Sequence, residues 1–241
     1  MSSVVVAQLS QPRCGTSWLR AMCGQHPGVQ SVAEIRSPHA NTYMAWHRET
    51  GGLFPEYIEW LRATFDGAVI VDAKVDQLEA TPMALDSLAS FDKLLALHRR
   101  NDLRTVVSYE QMRQRVARGE QSNRLVGEPT GPEVVTLNVG DTILAMKRLR
   151  ARRAWIDAAC RGRDSLTVWY EDVVNFPARE TGRVWEWLGL SPVEIAPTYK
   201  RLNPYPLREV VTNLDELRLP KAWRWMIGDE TWSDIVRGGA N

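Results

Sequence analysis

Short, nearly continuous apolar runs alternate with stretches of helical periodicity along most of the chain. VVVAQL (4–9), AVIVDAKV (68–75), KLLALH (93–98) and SLTVWYED (165–172) are short and β-rich, and VQSVAE (29–34) is a weaker run of the same kind. Between them, WLRAMCGQ (18–25), EYIEWLRATF (56–65), LRTVVSYEQMRQRV (103–116) and TILAMKRLRARRAWIDAACR (142–161) carry helical patterns. Strands apolar on both faces belong in a parallel sheet covered on both sides. The pattern therefore predicts an α/β fold: a single domain over 1–241, with a central parallel sheet and helices on both faces.

Two stretches interrupt the alternation. Residues 35–55 (IRSPHANTYMAWHRETGGLFP) and 117–138 (ARGEQSNRLVGEPTGPEVVTLN) are rich in Gly, Pro and polar residues. Such excursions are substrate loops in some α/β domains and plain surface loops in others. Both readings stay open. Ligands of open α/β sheets bind beyond the carboxyl ends of the strands, which is where both stretches are expected.

Bulk properties narrow the partners. Thirty basic against 29 acidic residues leave a net charge of +1, which argues against duplex nucleic acid bound through global charge. Cys14, Cys23 and Cys160 have no metal-ligand spacing, and their odd number suits a reducing compartment. MSSVVVAQLS lacks the character of a signal peptide, and no apolar run approaches the roughly 20 residues of a transmembrane segment. The expected location is cytoplasmic, and no metal is expected.

QPRCGTSWL (11–19) joins the first strand to the first helix. A helix N-terminus offers unpaired amides and partial positive charge. Gly15 lets the backbone approach a ligand closely, Thr16 and Ser17 add hydroxyls, and Arg13 can grip oxyanions in bidentate fashion. Together they make a P-loop-like anion cradle. An ordinary capped turn has the same ingredients. The Gly-Lys pair of the ATP-binding P-loop is missing, which disfavours ATP hydrolysis by that route.

A second basic turn lies in LLALHRRNDLRTVVSYEQMR (94–113). Arg100 ends up eight residues before Ser108, and Arg104 shares a helix face with Ser108. A phosphate could sit among these groups, or the turn could be merely solvated.

Taken together, the two stretches resemble the sulfotransferases that use 3′-phosphoadenosine-5′-phosphosulfate (PAPS). PRCGTSWL is similar to their 5′-phosphosulfate loop, P-[RK]-S-G-T-[ST]-x-L, with Cys14 standing where Ser is usual. RRNDLRTVVS is similar to their 3′-phosphate motif, an Arg and a Ser eight residues later. HPGVQSVAE, VWYEDVVNFPARETGRVWEWLGL and NPYPLREVVTNLDELR extend the resemblance over most of the chain. It implies PAPS as co-substrate and 3′,5′-bisphosphoadenosine (PAP) as product. Arg13, Cys14, Gly15, Thr16, Ser17 and Trp18 would hold the 5′ end, and Arg100 and Ser108 the 3′-phosphate.

The implied activity is in-line transfer of a sulfuryl group to a hydroxyl of a small-molecule, sugar or lipid acceptor. Arg13 would stabilise charge on the transferring group. Glu34 is the expected general base, because carbohydrate-directed and bacterial members use a glutamate here. His39 and His47 are the alternatives, since the phenol- and steroid-directed branch uses histidine. Lys74, at a strand end, could touch the sulfonate or acceptor, or be a plain surface lysine. His98 is expected to pack or cap, and His26 to belong to a helix-ending turn. Tyr170, Glu171 and Asp172 are expected to brace the sheet.

Ten tryptophans point first to core packing, although KAWRWMIGDETW (221–232) could cover an adenine. Tyr43 and Trp46 could contact the acceptor. The basic run Lys147, Arg148, Arg150, Arg152 and Arg153 reads as a solvated helix face. The competing functions are a nucleotide-dependent phosphotransferase and a non-catalytic PAP- or nucleotide-binding protein.

Overall fold

The run VVVAQLS becomes β1 (Val4–Ser10), the middle strand of a five-stranded sheet. In the computed structural model, which describes residues 3–36, 42–79, 84–120, 131–196 and 205–217, β3 (Ala68–Lys74) and β4 (Lys93–His98) flank β1. β2 (Val29–Val32) and β5 (Ser165–Trp169) form the edges, and every pairing is parallel. The order β2-β3-β1-β4-β5 makes the carboxyl end of β1 the point where the connections change direction across the sheet. In open α/β sheets that is the ligand-binding position.

The helices follow in chain order: α1 (Thr16–Cys23), α2 (Tyr43–Thr50), α3 (Phe54–Thr64), α4 (Val75–Glu79), α5 (Ala84–Ala89), α6 (Asp102–Ala117), α7 (Val139–Cys160), α8 (Tyr170–Asn175), α9 (Pro177–Trp187), α10 (Leu207–Val210) and α11 (Leu214–Leu217). Two departures from the expected pattern stand out. The stretch 35–55 contains α2 and the start of α3, with Thr42 capping α2 through its hydroxyl. The run SLTVWYED stops being strand at Trp169, and Tyr170 opens a helix.

The chain divides into two compact units, Met1–His98 with Arg152–Thr198, and Arg99–Ala151 with Tyr199–Asn241. The first contains the whole sheet. One face buries Val5, Ala7, Leu9, Val69 and Val71 against Tyr57, Ile58 and Leu61 of α3 and Ile156 of α7. The other buries Val6, Ile70, Leu95 and Leu97 against Leu19 and Cys23 of α1 and Val184 and Trp185 of α9. The alternation of side chains along each strand explains why both faces are apolar. Trp185 is 1% exposed, and its indole N–H donates to the Cys23 carbonyl at 3.1 Å, tying α9 to the last turn of α1.

The second unit gathers Leu103, Val106 and Val107 of α6 with Met146 of α7, Leu207 and Val210 of α10 and Leu217 of α11. Asn101 caps α6 by accepting from the Arg104 amide at 2.9 Å. Val135 pairs with Val211 in an isolated parallel bridge. Among the described residues no helix is long and apolar enough to cross a membrane.

Trp185→Phe keeps an aromatic ring of smaller volume but loses the donor to Cys23, and should cost about 1–2 kcal/mol in urea denaturation. Trp185→Ala should cost about 3–5 kcal/mol. Equal losses would show that the phenyl volume retained in Trp185→Phe contributes nothing and that the lost donor to Cys23 carries the whole effect.

Candidate functional site

The turn between β1 and α1 is built from left-handed backbone. Arg13 has φ 66° and Gly15 φ 86°, the first a conformation that side chains rarely adopt. At Gly15 a side chain is excluded twice over, because a Cβ there would also run into the Tyr170 ring. Gly15 caps α1 without any side-chain hydrogen bond, and no acidic residue occupies the first turn. The first backbone bonds of the helix run from the Trp18 and Leu19 amides to the Gly15 carbonyl, at 3.1 and 3.0 Å. The Thr16 and Ser17 amides therefore precede the helical ladder and face the turn, the arrangement that receives an anion.

The side chains of this turn divide by direction. Cys14 is 2% exposed and packs in the core with Val6, Leu19 and Val168. That explains a cysteine where a serine is usual, since the position can offer a ligand only its backbone. Ser17 is exposed, whereas Thr16 is buried, with its hydroxyl placed to favour the ionised Asp72 carboxylate. Trp18 meets Tyr170 edge-on, ring centroids 6.1 Å apart. Tyr170 thus covers Gly15 and abuts Trp18, bracing the turn.

The floor beneath the turn is polar. On the α1 face of the sheet, β1 runs from Val6 to Gln8 to Ser10, and β3 from Ile70 to Asp72 to Lys74. Gln8 pairs in register with Asp72, and Ser10 with Lys74. Gln8, Ser10 and Asp72 are each 1% exposed or less. Gln8 Oε1, Ser10 Oγ and Asp72 Oδ1 find no hydrogen-bond partner among the described residues. Burial pushes the Asp72 carboxyl up to about 6, reinforced by the Glu34 charge and opposed by Lys74, Arg20 and the Thr16 hydroxyl.

Glu34, just past the end of β2, forms an ion pair with Lys74 at the end of β3. Gln77 of α4 donates to its other oxygen at 2.6 Å. Burial works to raise the Glu34 pKa, but the Lys74 hydrogen bond and charge, with Gln77 and Arg20, hold it below the usual carboxylate range. In this resting pairing Glu34 is ionised and a weaker base than a free glutamate. Arg20 reaches the same corner, its guanidinium donating to the Val32 carbonyl at 3.3 Å. The sheet edge therefore brings Glu34 and Lys74 together and, through Asp72, sets them beside Thr16.

The described histidines, His26, His47 and His98, have hydrogen-bond partners away from this corner. His47 hydrogen-bonds through Nδ1 to the Gly52 carbonyl at 2.7 Å, closing the turn after α2. His26 accepts from the Gly28 amide at 2.9 Å and lies against Trp185, as a helix-ending turn requires. His98 is 1% exposed, hydrogen-bonds Asp157 at 2.9 Å and packs on Trp169. His39 and the segment 221–232 lie outside the described residues. Tyr43 and Trp46 belong to an aromatic cluster with Phe54, Tyr57 and Trp60.

In the second unit, Arg100 is exposed in the turn before α6 and Ser108 is half-buried on that helix. Arg104 is 7% exposed and donates to the Tyr205 carbonyl at 2.8 Å. In the basic run, Lys147 and Arg148 are exposed, while Arg150 is paired with Asp102 at 3.1 Å. Within the first unit, Arg153 lies over the Trp169 ring.

No family model matches the chain, and no curated protein matches it. Solved structures do. A sulfotransferase from Alicyclobacillus acidocaldarius is similar at 15% identity and TM-score 0.50, covering 85% of this chain and 88% of its own. The sulfotransferase domain from the curacin biosynthetic pathway gives 16% and 0.48, over 100% of this chain and 96% of its own. The one from the Synechococcus PCC 7002 olefin synthase gives 19% and 0.47, over 99% and 94%. These three neighbours are sulfotransferases, and the first of them establishes a shared P-loop-like α/β fold.

Because Asp72 binds its proton more tightly folded than unfolded, the folded state loses stability as pH rises from 3.8 to about 6. The cost above that window is roughly 3 kcal/mol. Asp72→Asn should therefore raise the urea midpoint near neutral pH and leave it almost unchanged near pH 4. An identical effect at both would mean that Asp72 carries no burial penalty.

Proposed function

We propose that the chain is a sulfotransferase that moves the sulfuryl group of PAPS to a hydroxyl acceptor. The observation that carries this reading is the turn 13–17, with amides ahead of the helical ladder and a glycine that admits no side chain. It supports a close backbone approach to an anion without a P-loop lysine. The phosphosulfate is assigned to Arg13 and the backbone of Cys14–Ser17, with Trp18 beside them. Arg100 and Ser108 are assigned to the 3′-phosphate on their sequence motif.

In the reaction, the acceptor oxygen attacks sulfur as the sulfur–oxygen bond to the 5′-phosphate breaks, and PAP leaves. The acceptor proton passes to Glu34. At rest the Lys74 pairing suppresses its basicity. A sulfonate arriving beside Lys74 would draw the ammonium away and leave Glu34 more basic. Lys74 then serves in two places, silencing the base before the donor binds and stabilising charge on the donor afterwards. Arg13 shares the second role.

The acceptor is proposed as a small molecule, sugar or lipid. The aromatic cluster around Tyr43 and Trp46 in α2, which begins just after Glu34, supports an acceptor with an apolar or sugar face. Cytoplasmic location and a single-domain organisation remain part of the proposal.

Calorimetric titration with PAP, against ATP and 5′-AMP, tests the donor. Arg100→Ala should weaken PAP by about 30-fold, a charge-assisted contact of roughly 2 kcal/mol, and leave 5′-AMP nearly untouched. Equal losses for both would remove Arg100 from the 3′-phosphate. With PAPS and an accepted hydroxyl compound, Glu34→Gln should lower kcat by roughly 10²–10⁴ at unchanged PAP affinity. Full turnover in that variant would end the assignment of Glu34 as base.

A further inference from the structure

Asp72 is a carboxylate kept, at a cost in stability, where an apolar side chain would serve the core better. It sits in the interior of the sheet's apolar pattern, 1% exposed, directly across from Gln8. One of its oxygens accepts no hydrogen bond from the described residues, and the Gln8 Oε1 is equally unsatisfied. Among the described residues, the hydroxyl that bears on it is that of Thr16, the first residue of α1. An anion resting on the Thr16 amide would have the Asp72 charge on the other side of the same residue. Two negative charges would then flank one threonine in a buried place, where Coulomb repulsion is weakly screened.

We propose that Asp72 is a positioning residue of the anion loop, holding Thr16 by its hydroxyl, and that it takes up a proton when an anion settles on the loop. This rests on the reading of the loop as the 5′ site of the donor. The proton comes from solvent and converts the carboxylate to a neutral acid, which supplies a donor beside the unsatisfied Gln8 acceptor. On release of the anion the proton returns, and the restored carboxylate again fixes Thr16. The charges that bear on Asp72 are Lys74 on its own strand, Arg20 on α1 and Glu34 after β2. Glu34 is held ionised by its partners, so Asp72 is the member of this group poised to change charge near neutrality.

Inorganic sulfate and adenosine 5′-phosphosulfate are suitable probes, because neither titrates near neutral pH and both present the anion that the loop is built for. Each is titrated into the full chain and into Asp72→Asn, in two buffers of different ionisation heat. The wild type should take up a fraction of a proton per anion bound, and its affinity should fall by about tenfold between about pH 6 and about pH 8. In Asp72→Asn the uptake disappears and affinity becomes flat with pH. Equal proton counts in the two proteins overturn the inference alone. Failure of the wild type to bind either anion overturns it together with the donor assignment. Should Asp72→Asn not fold, Thr16→Ser and Thr16→Val decide. The serine variant keeps the hydroxyl and the uptake, whereas the valine variant loses the donor that keeps Asp72 ionised and takes up less. Identical uptake in these two variants would also overturn the inference.

Discussion

The whole site depends on one left-handed residue. Gly15 turns the chain from the end of β1 directly into α1, and the Tyr170 ring closes the space a side chain would need. With the turn so tight, the first amides of the helix point off the end of the central strand, at the switch point of the sheet. A looser turn would give those amides to a capping side chain or to water. The parallel sheet supplies the rest, since it delivers the carboxyl ends of β2 and β3, and with them Glu34 and Lys74, to the same edge.

The strands and the turn from β1 into α1 were legible because they rest on local chemistry. An apolar run of five to seven residues, a glycine and a following helical period need no distant partner to be recognised. The two helices at departures from the pattern were less so: α2 is short and depends on the Thr42 cap and on packing against α3. Lys74 was visible as a strand end, but its pairing with Glu34 joins residues 40 apart in sequence and needed the parallel register. Asp72 was hidden by its company. Inside AVIVDAKV it reads as one polar residue in a strand, and only the sheet shows that it lies below the anion turn beside Gln8. Tyr170 was expected to brace the sheet, whereas its contact with Gly15 comes from the start of α8, after a strand two positions from β1 in the sheet and distant in sequence.

Charge at this edge is balanced rather than simply positive. Arg20 and Lys74 supply positive charge there, while Glu34 and Asp72 occupy part of that field. The environment pushes the two carboxylates in opposite directions, Glu34 down through its cationic and amide partners and Asp72 up through burial. Such a split between neighbouring acids separates their tasks: one stays charged and is available to an acceptor, and the other can be neutral when charge crowds the loop. The net charge of +1 for the whole chain says nothing of this local arrangement.

The indole of Trp185 gives helix α1 a polarity of use. By donating to the Cys23 carbonyl it satisfies one of the acceptors that every helix leaves at its last turn, and it does so in a buried place. The opposite end, at Gly15, has no side-chain cap. The electrical asymmetry of the helix is thus discharged internally at its negative pole and left exposed at its positive one. α1 works as a one-ended connector, plugged into the core at Trp185 and offering its live terminal to whatever anion enters the turn.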